Sequence, residues 1–207
     1  NLRGGGEFGE TWHRAGMLAN KQNVFDDFLA AADWLIANRY TSPERLASSG
    51  GSNGGLLVGA ALTQHPEKFG AVVCSVPLLD MLRYHQFLVA RFWVPEYGSS
   101  EDPEQFKVLR AYSPYHHVTK GVAYPAVLLV SGDSDTRVDP LHARKMTALL
   151  QASTGSGRPV LLHYDTKLGH AGGKPVSKQI DDLEVELTFL SWQLGVEAAD
   201  PALSESH

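Results

Sequence analysis

The stretch SSGGSNGGLL, residues 48–57, sets one serine in a cluster of glycines directly ahead of an apolar run. Gly50-Gly51-Ser52-Asn53-Gly54 matches the pattern G-x-S-x-G, in which a strand turns sharply into a helix and lifts a nucleophilic hydroxyl above the sheet edge. Glycines at 50 and 54 are expected where a side chain would collide with the neighbouring strand and helix. The same cluster could cradle phosphate at a helix start, or merely mark a loop. The pentapeptide alone leaves the three open.

A serine hydroxyl attacks well only when a base takes its proton, and the base needs an acid partner to fix its tautomer. Both residue types follow in that order. Asp133-Ser134-Asp135-Thr136-Arg137 comes directly after AVLLVSG, and His170 stands in the glycine-rich KLGHAGG after VLLHYD. Asp133 and Asp135 are both available as the acid. Of the other histidines, His163 lies inside a strand pattern and His116-His117 precedes a turn, so each reads as structural. The backbone N–H of Asn53, at the start of a helix, is the natural first donor to a developing oxyanion. No histidine or carboxylate spacing resembles a zinc signature.

The elements around these residues follow from hydrophobic patterning. NVFDDFLAAADWLIANR places Phe25, Phe28, Leu29, Ala32, Leu35 and Ile36 on one helical face, with Asn23 as a cap and Asp26 and Asp27 in the first turn. RLASSG, GAVVCSVP, PAVLLVSG and PVLLHYD read as strands without polar alternation. GGLLVGAALTQH, LHARKMTALLQA and VSKQIDDLEVELTFLSWQLG read as helices. Apolar strands alternating with helices predict a parallel sheet covered on both faces. The serine, aspartates and histidine then fall after carboxyl ends of strands, where open α/β sheets assemble their sites. Their order along the chain is that of α/β-hydrolases. Residues 80–120, aromatic-rich and aperiodic, read as helical pieces and loops outside the sheet. The tail EAADPALSESH is expected to be disordered, giving a partial catalytic domain over 1–196 and a tail over 197–207.

With 207 residues, 43% hydrophobic and 20% charged, the composition is that of one globular domain. A net charge of −5 offers no basic surface for nucleic acid or an anionic membrane. No apolar stretch approaches the ~20 residues a membrane helix needs. The single cysteine, Cys74, sits in an apolar run and reads as a buried small hydrophobe. The chain opens on Asn1-Leu2-Arg3, without an initiator Met, and reads as the middle of a longer protein.

From NLRGGGEFGETWH through NKQNVFDDF, YTSPERL and GGSNGGLL to DTKLGHAGGKP, the chain resembles the C-terminal part of the catalytic domain of the prolyl oligopeptidase family. The family has the α/β-hydrolase fold, and GGSNGG favours its proline-specific branch over related oligopeptidases or acylaminoacyl-type peptidases and esterases. The resemblance implies Ser52 as nucleophile, Asp135 as acid and His170 as base; Thr136 stands where many relatives carry another Asp. It further implies that Arg137 binds a substrate carbonyl, that Trp93 stacks on the substrate proline ring with Tyr97 nearby, and that Leu78, Val89 and Val138 line the same pocket. An aromatic wall suits proline, a flat apolar ring without an N–H. An ion pair of Arg137 with Asp133 or Asp139 is the competing role for that guanidinium.

No cofactor is implied, and the partners are short proline-containing peptides. The resemblance also places upstream, outside this sequence, the first sheet strands, a β-propeller that screens out large proteins, and a tyrosine that completes the oxyanion hole. The fragment alone is therefore expected to be weak or inactive. At full length the family pattern implies a monomer in the cytoplasm, with a periplasmic location left open because a signal peptide would lie upstream. A rival motif occurs at Gly4-Gly5-Gly6-Glu7-Phe8-Gly9, which satisfies the dinucleotide-binding pattern G-x-G-x-x-G with Asp26 and Asp27 downstream. It is followed by no convincing helix, and Glu7 would repel a pyrophosphate.

Overall fold

The computed structural model describes residues 1–166, 169–170 and 175–196. The tail 197–207 and residues 167–168 and 171–174 of the histidine loop lie outside the described residues. Four strands, β1 (Ala47–Gly51), β2 (Ala71–Ser75), β3 (Ala126–Gly132) and β4 (Val160–Asp165), form one sheet in the order β1-β2-β3-β4. All three pairings are parallel, in a register that aligns Gly50 with Cys74, Cys74 with Leu129, and Leu129 with Leu162. The helices are α1 (Glu10–Arg14), α2 (Gln22–Ala37), α3 (Asn53–Gln64), α4 (Val94–Tyr97), α5 (Pro103–Tyr112), α6 (Pro114–His117), α7 (Leu141–Ser153) and α8 (Val176–Leu194).

The strands read as continuous apolar runs because both faces are covered, and successive side chains divide between two cores. Val72, Cys74, Val127 and Leu129 pack with Leu29 and Ala32 of α2, Val58, Ala61 and Leu62 of α3, and Met146 and Leu150 of α7. Ala71, Val73, Ala126 and Leu128 face the other way, against Phe189 of α8. Cys74 is buried as expected. Its thiol contacts the Gly55 carbonyl at 3.2 Å, and burial pushes its pKa up to about 12.

Residues 80–120 do lie off the sheet, as short helices around a second core. Tyr84, Tyr97, Leu109 and Tyr112 pack there with Leu78, Val138, Phe25 of α2 and Leu56 of α3. Asp102 caps α5 by accepting from the backbone N–H groups of Glu104 and Gln105.

Two expectations are corrected. Asn23 does not cap α2, which begins at Gln22 after the already helical Lys21. The preceding turn (Leu18–Asn20) feeds the chain directly into helical geometry, so Asn23 falls inside and its amide donates to the Ala15 carbonyl at 2.8 Å. The glycine motif at 4–9 is no dinucleotide site: α1 behind it has only five residues, too short for the helix such a motif opens. Its amides are used internally, Gly4 donating to Trp12, Gly5 to Leu2 and Gly9 to Gly6.

Candidate active site

The sheet ends in a sharp turn at Ser52, whose φ of 58° and ψ of −116° place a non-glycine residue in a conformation that costs strain. Two glycines accommodate the turn. A Cβ on Gly50 would lie 2.6 Å from the Gly54 carbonyl carbon, and one on Gly55 would lie 2.7 Å from Pro77 Cβ. Gly54 departs from the expectation: a Cβ there meets nothing within 4 Å. What the turn requires of Gly54 is its main chain, which Gly50 must approach.

Loops after β3 and β4 bring two further side chains to the serine. Ser52 Oγ lies 2.9 Å from His170 Nε2, and His170 Nδ1 lies 2.8 Å from Asp135 Oδ2. The Asp135 side chain is fully buried. Its other oxygen accepts the backbone N–H groups of Arg137 and Val138, each at 2.9 Å. Burial works to raise the Asp135 pKa, but the hydrogen bonds from His170, Val138 and Arg137 outweigh it and hold the carboxyl below its usual range. With its proton on Nδ1, the imidazole donates to Asp135 and keeps Nε2 free to accept from the Ser52 hydroxyl.

Asp133, the competing acid, points elsewhere. Half-exposed, it accepts from Arg144 at 2.8 Å and from the Tyr164 hydroxyl.

The N-terminus of α3 directly follows the serine. The Ser52 N–H is already spent on the Ser75 carbonyl at 2.9 Å. Among the described residues the Asn53 N–H has no hydrogen-bond acceptor, as the first amide of a helix does not.

Beside the serine opens a cavity of about 170 Å³ lined by Ser52, Asn53, Leu78, Trp93, Glu96, Tyr97 and Arg137. Val138 is buried in the core behind this wall, with Leu78 and Tyr97. Val89 is not brought in: it is 38% exposed, ahead of the turn Ala90–Trp93, and does not line the cavity. Among the described residues Arg137 pairs with neither Asp133 nor Asp139, so its guanidinium stays available at the rim.

Sequence patterning missed Glu96 and Lys21. Glu96 sits in the cavity wall, held by His13 at 2.9 Å and by Lys21 at 3.4 Å. The Lys21 ammonium is buried and lies 4.9 Å over the Tyr97 ring; burial lowers its pKa against the opposing pull of Glu96. The three histidines read from the sequence as structural lie away from Ser52 in the contacts they make. His163 is on β4, His116 contacts the Ser113 hydroxyl at 2.9 Å, and His117 the Arg110 carbonyl at 2.8 Å. No group of three or more potential metal ligands occurs among the described residues.

Residues 1–197 match the model of the prolyl oligopeptidase family, and the chain belongs to that family. It is 45% identical over 199 residues to a prolyl endopeptidase of Dictyostelium discoideum, an alignment covering 95% of this chain and 26% of that protein. A solved prolyl endopeptidase, studied for the role of inter-domain dynamics in catalysis and specificity, superposes with a TM-score of 0.93 at 57% identity. It covers 95% of this chain, which spans 29% of it. Prolyl oligopeptidase B of Galerina marginata, solved with a 35mer hydrolysis and macrocyclization substrate as a serine-to-alanine mutant, gives a TM-score of 0.91 at 39% identity. It covers 96% of this chain, which spans 28% of that protein. The sheet and its helices are thus a portion of an α/β-hydrolase fold, and the chain spans between a quarter and a third of the length of these relatives.

Proposed function

We propose that the chain carries the catalytic machinery of a serine peptidase that cleaves short peptides on the carboxyl side of proline. The observation that carries this reading is the continuous hydrogen-bonded line from Ser52 Oγ through His170 to buried Asp135. Ser52 Oγ attacks the scissile carbonyl carbon while its proton passes to His170 Nε2. The negative charge on the carbonyl oxygen is met by the Asn53 N–H, and the imidazolium by Asp135. His170 then gives its proton to the leaving amine as the C–N bond breaks, leaving the peptide's proline carbonyl esterified to Ser52. Water, deprotonated by the same imidazole, hydrolyses the ester and restores the serine.

Preference for proline is supported by the cavity wall. Trp93 and Tyr97 offer aromatic surface with Leu78 beside them, and shape and burial select a ring that has no N–H to donate. Arg137 at the rim suits a substrate carbonyl, a planar fork presenting fixed donors. Partners in this reading are short peptides and the upstream part of the same protein, which supplies the remaining sheet, a propeller and a second oxyanion donor. Without that donor turnover falls on the order of 10²–10³-fold, so this chain alone is weak or inactive.

The test is steady-state cleavage of matched peptides with proline or alanine before the scissile bond, by the protein as naturally encoded and by its Ser52→Ala variant. Proline-selective turnover that vanishes in the variant supports the reading. Turnover that persists, or that favours alanine, contradicts it.

A further inference from the structure

We infer that Tyr97 is a positioning residue for the oxyanion donor, acting through its hydroxyl on the side chain of Asn53; this rests on Ser52 being the nucleophile. The Tyr97 hydroxyl donates to Asn53 Oδ1 at 2.8 Å, across 44 residues of sequence. Asn53 needs such an anchor. Its peptide follows the strained Ser52, it is exposed, and Gly54 beside it packs against nothing on its Cβ side. On this reading the side-chain anchor is what holds the Asn53 N–H, the amide next to Ser52, in a fixed direction; that N–H has no acceptor among the described residues.

Tyr97 is well built to hold it. The residue is 5% exposed, and the Tyr84 ring packs edge-on at 5.5 Å. Tyr84 itself is pinned by donating to the Gly98 carbonyl at 2.6 Å. The Lys21 ammonium covers the ring face and is fixed by Glu96, which His13 fixes in turn. Burial also drives the phenol pKa well upward, so the hydroxyl stays a neutral donor. A wall for proline needs only the ring, which phenylalanine would supply equally. The hydroxyl is the part that pocket lining leaves unexplained.

The experiment is Tyr97→Phe in the protein as naturally encoded, read on proline peptides. The expected kcat falls about fivefold to tenfold, the worth of one neutral hydrogen bond, while KM and the preference for proline over alanine hold. Binding of a proline aldehyde, whose adduct places an oxyanion at the same donor, should weaken by the same factor. Asn53→Ala, at an exposed position, should reproduce the loss, and the double variant should add nothing to it. An unchanged kcat with a raised KM, or losses that multiply in the double variant, overturns the inference. Retained activity in Ser52→Ala would instead overturn the nucleophile assignment, a separate failure.

Discussion

Gly50 and Gly54 meet across the serine turn so closely that a Cβ on Gly50 would stand 2.6 Å from the Gly54 carbonyl carbon, while one on Gly54 would meet nothing. The two glycines of the motif are therefore unequal. Gly50→Ala must push backbone against backbone, at a cost of about 1–3 kcal/mol or more, and should displace Ser52. Gly54→Ala should fold with near-normal stability. Urea unfolding of both variants separates them, and equal destabilisation would show that the turn does not have this geometry.

Asp135 and Asp133 differ in whom they serve. Asp135→Asn leaves the shape but favours the wrong imidazole tautomer, and turnover should drop about 10⁴-fold. Among the described residues Asp133 bonds Arg144 and Tyr164 and not His170, so the effect of Asp133→Asn should stay within a few-fold. Peptidase rates of the two variants decide; the reverse ranking would move the acid role to Asp133.

Trp93 and Arg137 line one cavity with different consequences. Trp93→Ala should cut the preference for proline over alanine by roughly tenfold, through lost stacking and burial. Arg137→Ala should weaken longer substrates while leaving that preference in place. Specificity constants on matched peptides make the comparison. Equal loss on both substrates in Trp93→Ala would make the indole a core residue.

His142 gives a pH signature in stability. Its buried ring accepts the Asp80 N–H at 3.1 Å, and burial lowers its pKa to about 4, against the pull of Asp80 and Asp139 and with the help of Lys145 and Arg83. Between pH 6.5 and about 4 the unfolded chain binds a proton that the folded chain refuses. His142 therefore contributes fully above pH 6.5, and its contribution, on the order of 3 kcal/mol, is lost as pH falls toward 4. His142→Gln keeps an acceptor without titrating and should flatten that part of the stability profile in urea titrations. An unchanged slope would show that the ring is not the source.

The sheet was legible because its strands are buried on both faces and spell uninterrupted apolar runs such as AVVCS and AVLLVSG. The serine and histidine were legible because strand ends and chain order constrain them, whereas those signals left Asp133 and Asp135 both open and only the resemblance favoured Asp135. The start of α2 was not, since a short turn ahead of Lys21 had already committed the backbone to helix. Residues 80–120 show no long period because they surround a second core in short helical pieces. For that reason Val89 could be placed in the pocket by resemblance yet emerge exposed beside it. The Tyr97–Asn53 contact and the Glu96–Lys21 pair join distant segments through single polar atoms, which leave no periodic trace.

The most direct measurement is covalent labelling of the protein as naturally encoded with a fluorophosphonate, followed by mass mapping of the modified peptide. An activated hydroxyl backed by His170 and Asp135 should attack the phosphorus and expel fluoride, leaving one adduct at Ser52, with labelling lost in Ser52→Ala and in His170→Ala. An adduct on another serine, or labelling that survives Ser52→Ala, would contradict the assignment of Ser52 as the nucleophile.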